Sequence, residues 1–232
     1  MQIFWKGHSC FQILANIGKG NQVKIVIDPF SEEIGLKLPK MEADILLISH
    51  SHHDHNNKKA ISGNPFLIEG PGEYEVKGVY VEGVHSWHDQ KEGQERLQPS
   101  LRPPWLPPGP LGENTIYTIE AEEMKICHLG DLGEKKLTDE QLEKIGDVDV
   151  LMVPVGGVFT ISAKEAISIM AQIEPKITIP MHYSIPKLKI KLDGLEKFLK
   201  PLGIKKIEPL PKLLIKKRDL SPEEARIVIL EP

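Results

Sequence analysis

His50, His52, Asp54 and His55 fall within six consecutive positions, directly after the apolar run 45–48, with His53 among them. Neutral imidazole nitrogens and a hard carboxylate oxygen are donors suited to Zn²⁺ and neighbouring divalent ions. On an extended backbone His50 and His52, two apart, point to one side while Ser51 and His53 point away. Asp54 and His55 follow where the strand breaks, within reach of a second ion beside the first. A histidine tag or a low-complexity metal sponge would sit at a terminus or in a biased tract; this cluster interrupts an ordinary globular sequence. The expectation is a metal site.

A two-ion site needs more donors, and strand ends elsewhere supply candidates of the same type. His88-Asp89 follows an apolar run at 79–84; His128 and Asp131 follow Met124-Lys125-Ile126; His182 follows 177–180. Taken singly, each reads equally well as a turn former or a satisfied polar residue. Taken together with the first cluster, they imply a shared centre.

The elements that must position these residues are short. Segments 2–6, 10–17, 23–28, 44–49, 79–84 and 114–120 are rich in β-branched and aromatic residues and bounded by Gly, Pro or Asn, which predicts strands. A hairpin turn is expected at 16–21, around Gly18 and Gly20. In the second half helices alternate with strands. Thr138 and Gln141 have capping-box spacing for a helix of about two turns, and Ser162 caps a second over 163–173, with Glu165 in its first turn. Strands are expected at 148–155, 176–180 and 226–230. The run 97–112 carries six prolines in sixteen residues; it can be neither helix nor central strand and reads as an inserted, extended loop.

A chain of 232 residues fits one large domain, 1–232, and its 40 % hydrophobic and 27 % charged residues exclude a disordered or membrane class. The formal net charge of −4 gives no basic footprint, so a small-molecule substrate is expected rather than nucleic acid; oligomeric state is left open. Cys10 and Cys127 have no paired spacing, and the N-terminus lacks a long apolar region. The expectation is a cytoplasmic protein with reduced thiols and no membrane span.

The segment His50-Ser51-His52-His53-Asp54-His55 resembles the His-x-His-x-Asp-His motif of the metallo-β-lactamase superfamily, and His88, Asp131 and His182 match that family's later ligands in order. Gly7-His8-Ser9-Cys10-Phe11, His128-Leu129-Gly130-Asp131-Leu132-Gly133, Pro154-Val155-Gly156-Gly157 and Pro180-Met181-His182-Tyr183 resemble the branch of metal-dependent hydrolases related to ascorbate-6-phosphate lactonases. The likeness covers about 1–183. One departure is the proline-rich run: it separates Arg96 from Gly112-Glu113-Asn114-Thr115, a stretch that is continuous in the branch.

The resemblance implies an α/β fold, a four-layer αββα sandwich with metals at one edge. His50, His52 and His88 would hold one ion, Asp54, His55 and His182 the other, with Asp131 bridging and Asp54 and Asp131 taking part in catalysis. His88 is preferred to His85 because the His-Asp pair is what the branch shows. His8 and His128 are candidates to orient ligands or meet substrate, with plain structural hydrogen bonding equally open. The implied activity is hydrolysis of an ester, lactone or phosphodiester by metal-bound hydroxide, with two divalent ions, Zn²⁺ in the first place and Mn²⁺ or Fe²⁺ as alternatives. An iron-dependent redox protein or dioxygenase, or a non-catalytic metal-binding protein, are the competing classes.

Overall fold

The structure is a computed structural model that describes residues 1–18, 20–88, 112–220 and 225–232. In chain order the strands are β1 (Gln2–Trp5), β2 (Phe11–Ile17), β3 (Asn21–Ile27), β4 (Met41–Glu42), β5 (Ile45–Leu47), β6 (Ile61–Ser62), β7 (Phe66–Ile68), β8 (Gly72–Val76), β9 (Val79–Trp87), β10 (Glu113–Ala121), β11 (Met124–His128), β12 (Val150–Pro154), β13 (Ile177–Met181), β14 (Leu213–Leu214) and β15 (Arg226–Ile227). The helices are α1 (Asp139–Ile145), α2 (Ala163–Ile173) and α3 (Glu196–Leu199). Among the described residues two large sheets form, in the orders β14-β1-β2-β3-β5-β7 and β15-β13-β12-β11-β10-β9-β8, with a small third sheet of β4 and β6.

Side-chain alternation explains why the sheets pack face to face. Phe11, Ile13 and Ala15 on β2 and Val23, Ile25 and Ile27 on β3 enter the central core. Val26, Leu46 and Ile48 point the other way, into a second cluster with Phe30, Ile34 and Met41. That outer layer is built from 3-10 turns, Glu32–Ile34 and Lys58–Ala60, and the small β4–β6 pair rather than long helices. On the other sheet β12 and β13 are buried throughout, as parallel strands covered on both faces are, and α1 and α2 pack against β9 and β12. Both helices start at the expected caps: Thr138 and Ser162 each close a full capping box with Gln141 and Glu165.

Strand direction then decides where the functional residues lie. β3, β5 and β7 are mutually parallel; β9 and β11, each antiparallel to β10, run the same way as β12 and β13. The segments after β3, β5, β9, β11 and β13 therefore converge on one edge of the sandwich, and the segments before β2 and β10 join them there. The sheets are tied at that edge: Thr115 N–H donates to Ser49 O at 2.9 Å, and the buried Tyr117 hydroxyl donates to Ile48 O at 2.8 Å and accepts from Gly70 N–H at 2.9 Å.

Three expectations change. The strand expected over 44–49 ends at Leu47, so His50 and His52 are in the following turn and strand alternation is not what brings them together. The last strand shrinks from 226–230 to Arg226–Ile227, with Leu230 making a single bridge to Leu210. β7 and β8 were not anticipated. The proline-rich run lies outside the described residues except for Gly112.

Candidate metal centre

The turn after β5 folds back so that His50, His52 and His88 present one donor atom each within 4.8 Å of one another. Their ring centroids are 4.8 to 4.9 Å apart. His88 is placed by its own N–H, which donates to Gly112 O at 2.7 Å. His85, three residues earlier on β9, is exposed and rests edge-on against Trp87. His53 also points outward, with its side chain 66 % exposed.

Asp131 lies at the middle. Its Oδ2 is 3.1 Å from His55 Nε2, 3.1 Å from His182 Nε2, 3.4 Å from His88 Nε2 and 4.0 Å from His50 Nε2. Two donors each ~2.1 Å from one ion stand roughly 3.0–3.4 Å apart, so these spacings suit a carboxylate shared between two ions. Asp54 Oδ2 is 3.8 Å from His55 Nε2 and 3.2 Å from His8 Nε2. A second histidine trio, His8, His55 and His182, again brings its donor atoms within 4.8 Å.

Two residues not anticipated as functional set the tautomers. Asp28, at the end of β3, accepts Ser49 N–H at 2.7 Å, the Ser49 hydroxyl at 2.6 Å and His55 Nδ1–H at 3.1 Å. The Ser49 hydroxyl has spent its proton on Asp28, so at 2.8 Å it accepts from His50 Nδ1–H. Both imidazoles thereby have Nδ1 engaged and turn Nε2 toward Asp131. His50 Nε2 is buried and has no hydrogen-bond partner among the described residues. An orphaned acceptor of this kind is costly unless something binds it, and a divalent ion fits the donor set.

Electrostatics agree with the division of labour. Burial holds the pKa of His50 well below the ordinary imidazole range, aided by His55, and lowers that of His8 to about 4, so both are neutral at pH 7. Burial opposes ionisation of Asp131, but His182 and His55 outweigh it and keep the carboxyl well below the usual carboxylate range. The proton on His55 is held well above the ordinary value: burial disfavours it, and Asp131 and Asp28 override burial. A metal ion competes for that site, so its binding releases a proton.

The surrounding backbone is held out of its relaxed conformations. His8, Asp28 and His182 have φ of 54°, 46° and 52°, a region uncommon for side chains other than glycine. Gly130 has φ of 56°, and a Cβ there would lie 2.2 Å from Asn114 Oδ1, which accepts Asp131 N–H at 3.0 Å. Gly156, after β12, leaves room for His182 O, which a Cβ would meet at 2.0 Å. His128 is fully buried. Gly130 N–H donates to its Nδ1 and its Nε2–H donates to Ser9 O, so both nitrogens are used in holding the Asp131 turn.

Asp28 and Ser49 escaped the sequence reading because their partners are distant in the chain. Asp28 nevertheless carried the same mark as the other clusters, a polar donor at the end of an apolar strand. Asn114 was visible only as part of the interrupted Arg-Gly-x-Asn-Thr stretch.

With a strand-edge histidine and aspartate cluster between two packed sheets established, the class follows. The profile of the beta-lactamase superfamily domain matches residues 2–182, and the chain belongs to the metallo-β-lactamase superfamily. Within it, the chain is similar to a UPF0173 protein of Pyrococcus furiosus, 32 % identical over 193 residues that cover 79 % of this chain and 83 % of that one. It is also similar to a UPF0173 metal-dependent hydrolase of Thermococcus onnurineus, 27 % identical over 210 residues covering 79 % and 85 %. Among solved structures, a candidate Zn-dependent hydrolase of the same superfamily from Thermotoga maritima superposes with a TM-score of 0.74 at 35 % identity, covering 99 % of this chain and 98 % of that one.

Proposed function

We propose that this chain is a dinuclear metal-dependent hydrolase in which His50, His52 and His88 hold one ion, Asp54, His55 and His182 hold the other, and Asp131 bridges them. The observation that carries the reading is the position of Asp131 Oδ2, within 3.1 to 4.0 Å of the Nε2 atoms of His55, His182, His88 and His50. Relatives named as metal-dependent hydrolases support the reaction class.

When bound, a pair of divalent ions supplies a water that ionises near neutral pH and a positive counter-charge for a developing oxyanion. The rest is the work of the chain. Asp28 and Ser49 keep the lone pairs of His55 and His50 aimed inward; Asn114 and His128 fix the turn that aims Asp131; Thr115 and Tyr117 lock the two sheets whose ends carry the donors. Such a site acts on an ester, a lactone or a phosphodiester. The proposed ions are Zn²⁺, the proposed substrate is a small molecule, and the proposed location is the cytoplasm, where the buried thiols Cys10 and Cys127 stay reduced.

The test is metal quantification on purified protein, followed by a hydrolysis screen over lactones, esters and cyclic and linear phosphodiesters, with oxygen consumption measured alongside. Two ions per chain and hydrolysis without oxygen uptake are expected. Asp131→Ala should lose metal and hydrolysis together while keeping its far-UV circular dichroism. Full activity with two ions in that variant would sink the bridging assignment, and iron with oxygen uptake would move the protein to the redox class.

A further inference from the structure

His8 enters from the segment before β2, outside every segment assigned a ligand above, and its ring is fully buried. Its Nε2 lies 3.2 Å from Asp54 Oδ2. Its Nδ1 has no hydrogen-bond partner among the described residues, nor has Nδ1 of His182. The ring centroid of His8 is 4.3 Å from that of His182 and 4.8 Å from that of His55. Those separations resemble the 4.8 to 4.9 Å among His50, His52 and His88, the trio assigned to the first ion. The donor atoms of His8, His55 and His182 are also within 4.8 Å of one another, the same limit that the first trio meets. The backbone is committed to this placement: His8 sits at φ of 54°, and its carbonyl accepts both Trp5 Nε1–H at 2.9 Å and His182 N–H at 3.0 Å. The last bond couples His8 directly to the turn that carries His182.

The geometry points to His8 as a protein ligand of the second ion, completing with His55 and His182 a second three-histidine face beside Asp54 and Asp131. The inference rests on the dinuclear reading above and adds a donor to it. With His8 included, the second ion has five protein donors against four for the first. The two donor sets differ in number and in their balance of imidazole and carboxylate, so the two sites would differ in metal preference.

The experiment uses the full chain loaded with Co²⁺. Each imidazole bound to Co²⁺ through one nitrogen carries an N–H on the other, whose proton resonance is strongly shifted and lost in D₂O. Six such resonances are expected from His8, His50, His52, His55, His88 and His182, and five from His8→Gln. Chelator competition should show the second Co²⁺ weakened in His8→Gln and His8→Ala by more than roughly 100-fold, beyond the 10–100-fold typical of a residue that only orients a ligand, with the first ion unchanged. Five resonances in the unaltered protein would overturn the inference, even if both variants bound the second ion more weakly, because His8 would then act through Asp54. If the variants fail to fold by circular dichroism, the count in the unaltered protein decides. Failure of the unaltered protein to take up two ions would instead defeat the dinuclear reading itself.

Discussion

Asp28 shows how much of a metal site lies one bond away from its ligands. A single carboxylate receives three donors, Ser49 N–H, Ser49 Oγ–H and His55 Nδ1–H, and through them fixes which nitrogen of His50 and His55 keeps its lone pair. Asp28→Asn replaces one acceptor oxygen by an NH₂ group, which must then face a donor. The expected outcome is a loss of metal affinity of about 10–100-fold with the fold retained, measured by chelator competition; affinity within about twofold of the unaltered protein would remove Asp28 from the site. The choice between His85, on β9, and His88, just after it, is tested the same way. His88 is buried beside His50 and His52, whereas His85 is exposed. His88→Ala should therefore lose the first ion and His85→Ala should bind both as before, and the reverse pattern in a metal titration would exchange their roles.

At the scale of elements, what could be read from the chain was what is local. Both helix starts were legible because a capping box needs only residues three apart, and the alternating strands β1, β2, β3, β9 and β10 were legible because period two is a short-range signal. β7 and β8 were not. β8 contains Gly72, Glu73 and Glu75 and is partly exposed, and it is a strand only because β9 pairs with it. The cluster at 50–55 was found for a reason that needed correcting: the donors converge because a turn folds back, while the expectation relied on an extended backbone. Asp149, just ahead of β12, ties elements together at the end of the sandwich away from the donors. It accepts Lys125 N–H at 3.0 Å, Lys176 Nζ at 2.6 Å and Lys217 Nζ at 2.9 Å. Burial alone would raise its pKa, but Lys176, the Lys125 amide and Lys217 outweigh burial and depress it. A depressed carboxylate contributes stability that is complete above its unfolded value, about 3.9, and is lost as pH falls through the lower folded value. Asp149→Asn keeps an acceptor for Lys125 and loses the charge. With both lysines partly exposed and therefore screened, it should cost about 1–2 kcal/mol at pH 7. Denaturant unfolding in excess chelator should show that gap narrowing below about pH 4; an equal gap at pH 7 and pH 3 would separate the stability of this corner from the ionisation of Asp149.

The whole molecule is two sheets whose ends meet at one edge, and the proline-rich insertion is attached at that edge. The chain leaves the described residues after His88 and returns at Gly112, where His88 N–H already donates to Gly112 O at 2.7 Å. Next to that closure, Gly133 N–H donates to Trp87 O at 2.7 Å and Trp87 N–H to Glu134 Oε2 at 3.1 Å. The backbone that carries a proposed ligand is thus closed by its own hydrogen bonds, independently of what the intervening residues contribute. Joining Arg96 directly to Gly112 should for that reason leave two ions bound and the melting temperature no lower. Fewer residues between His88 and Gly112 lower the entropy cost of closing that stretch by roughly 1 kcal/mol, a small gain in stability. Function is where the change is expected. Long insertions are often functional, and this one is flanked by the proposed ligand His88, so the shortened protein should show an altered KM or an altered order of preference among the lactones, esters and phosphodiesters it hydrolyses. Steady-state kinetics on each substrate decides the matter: equal KM and kcat across all of them would leave the insertion without a part in recognition, and loss of metal would show that it supports His88 after all.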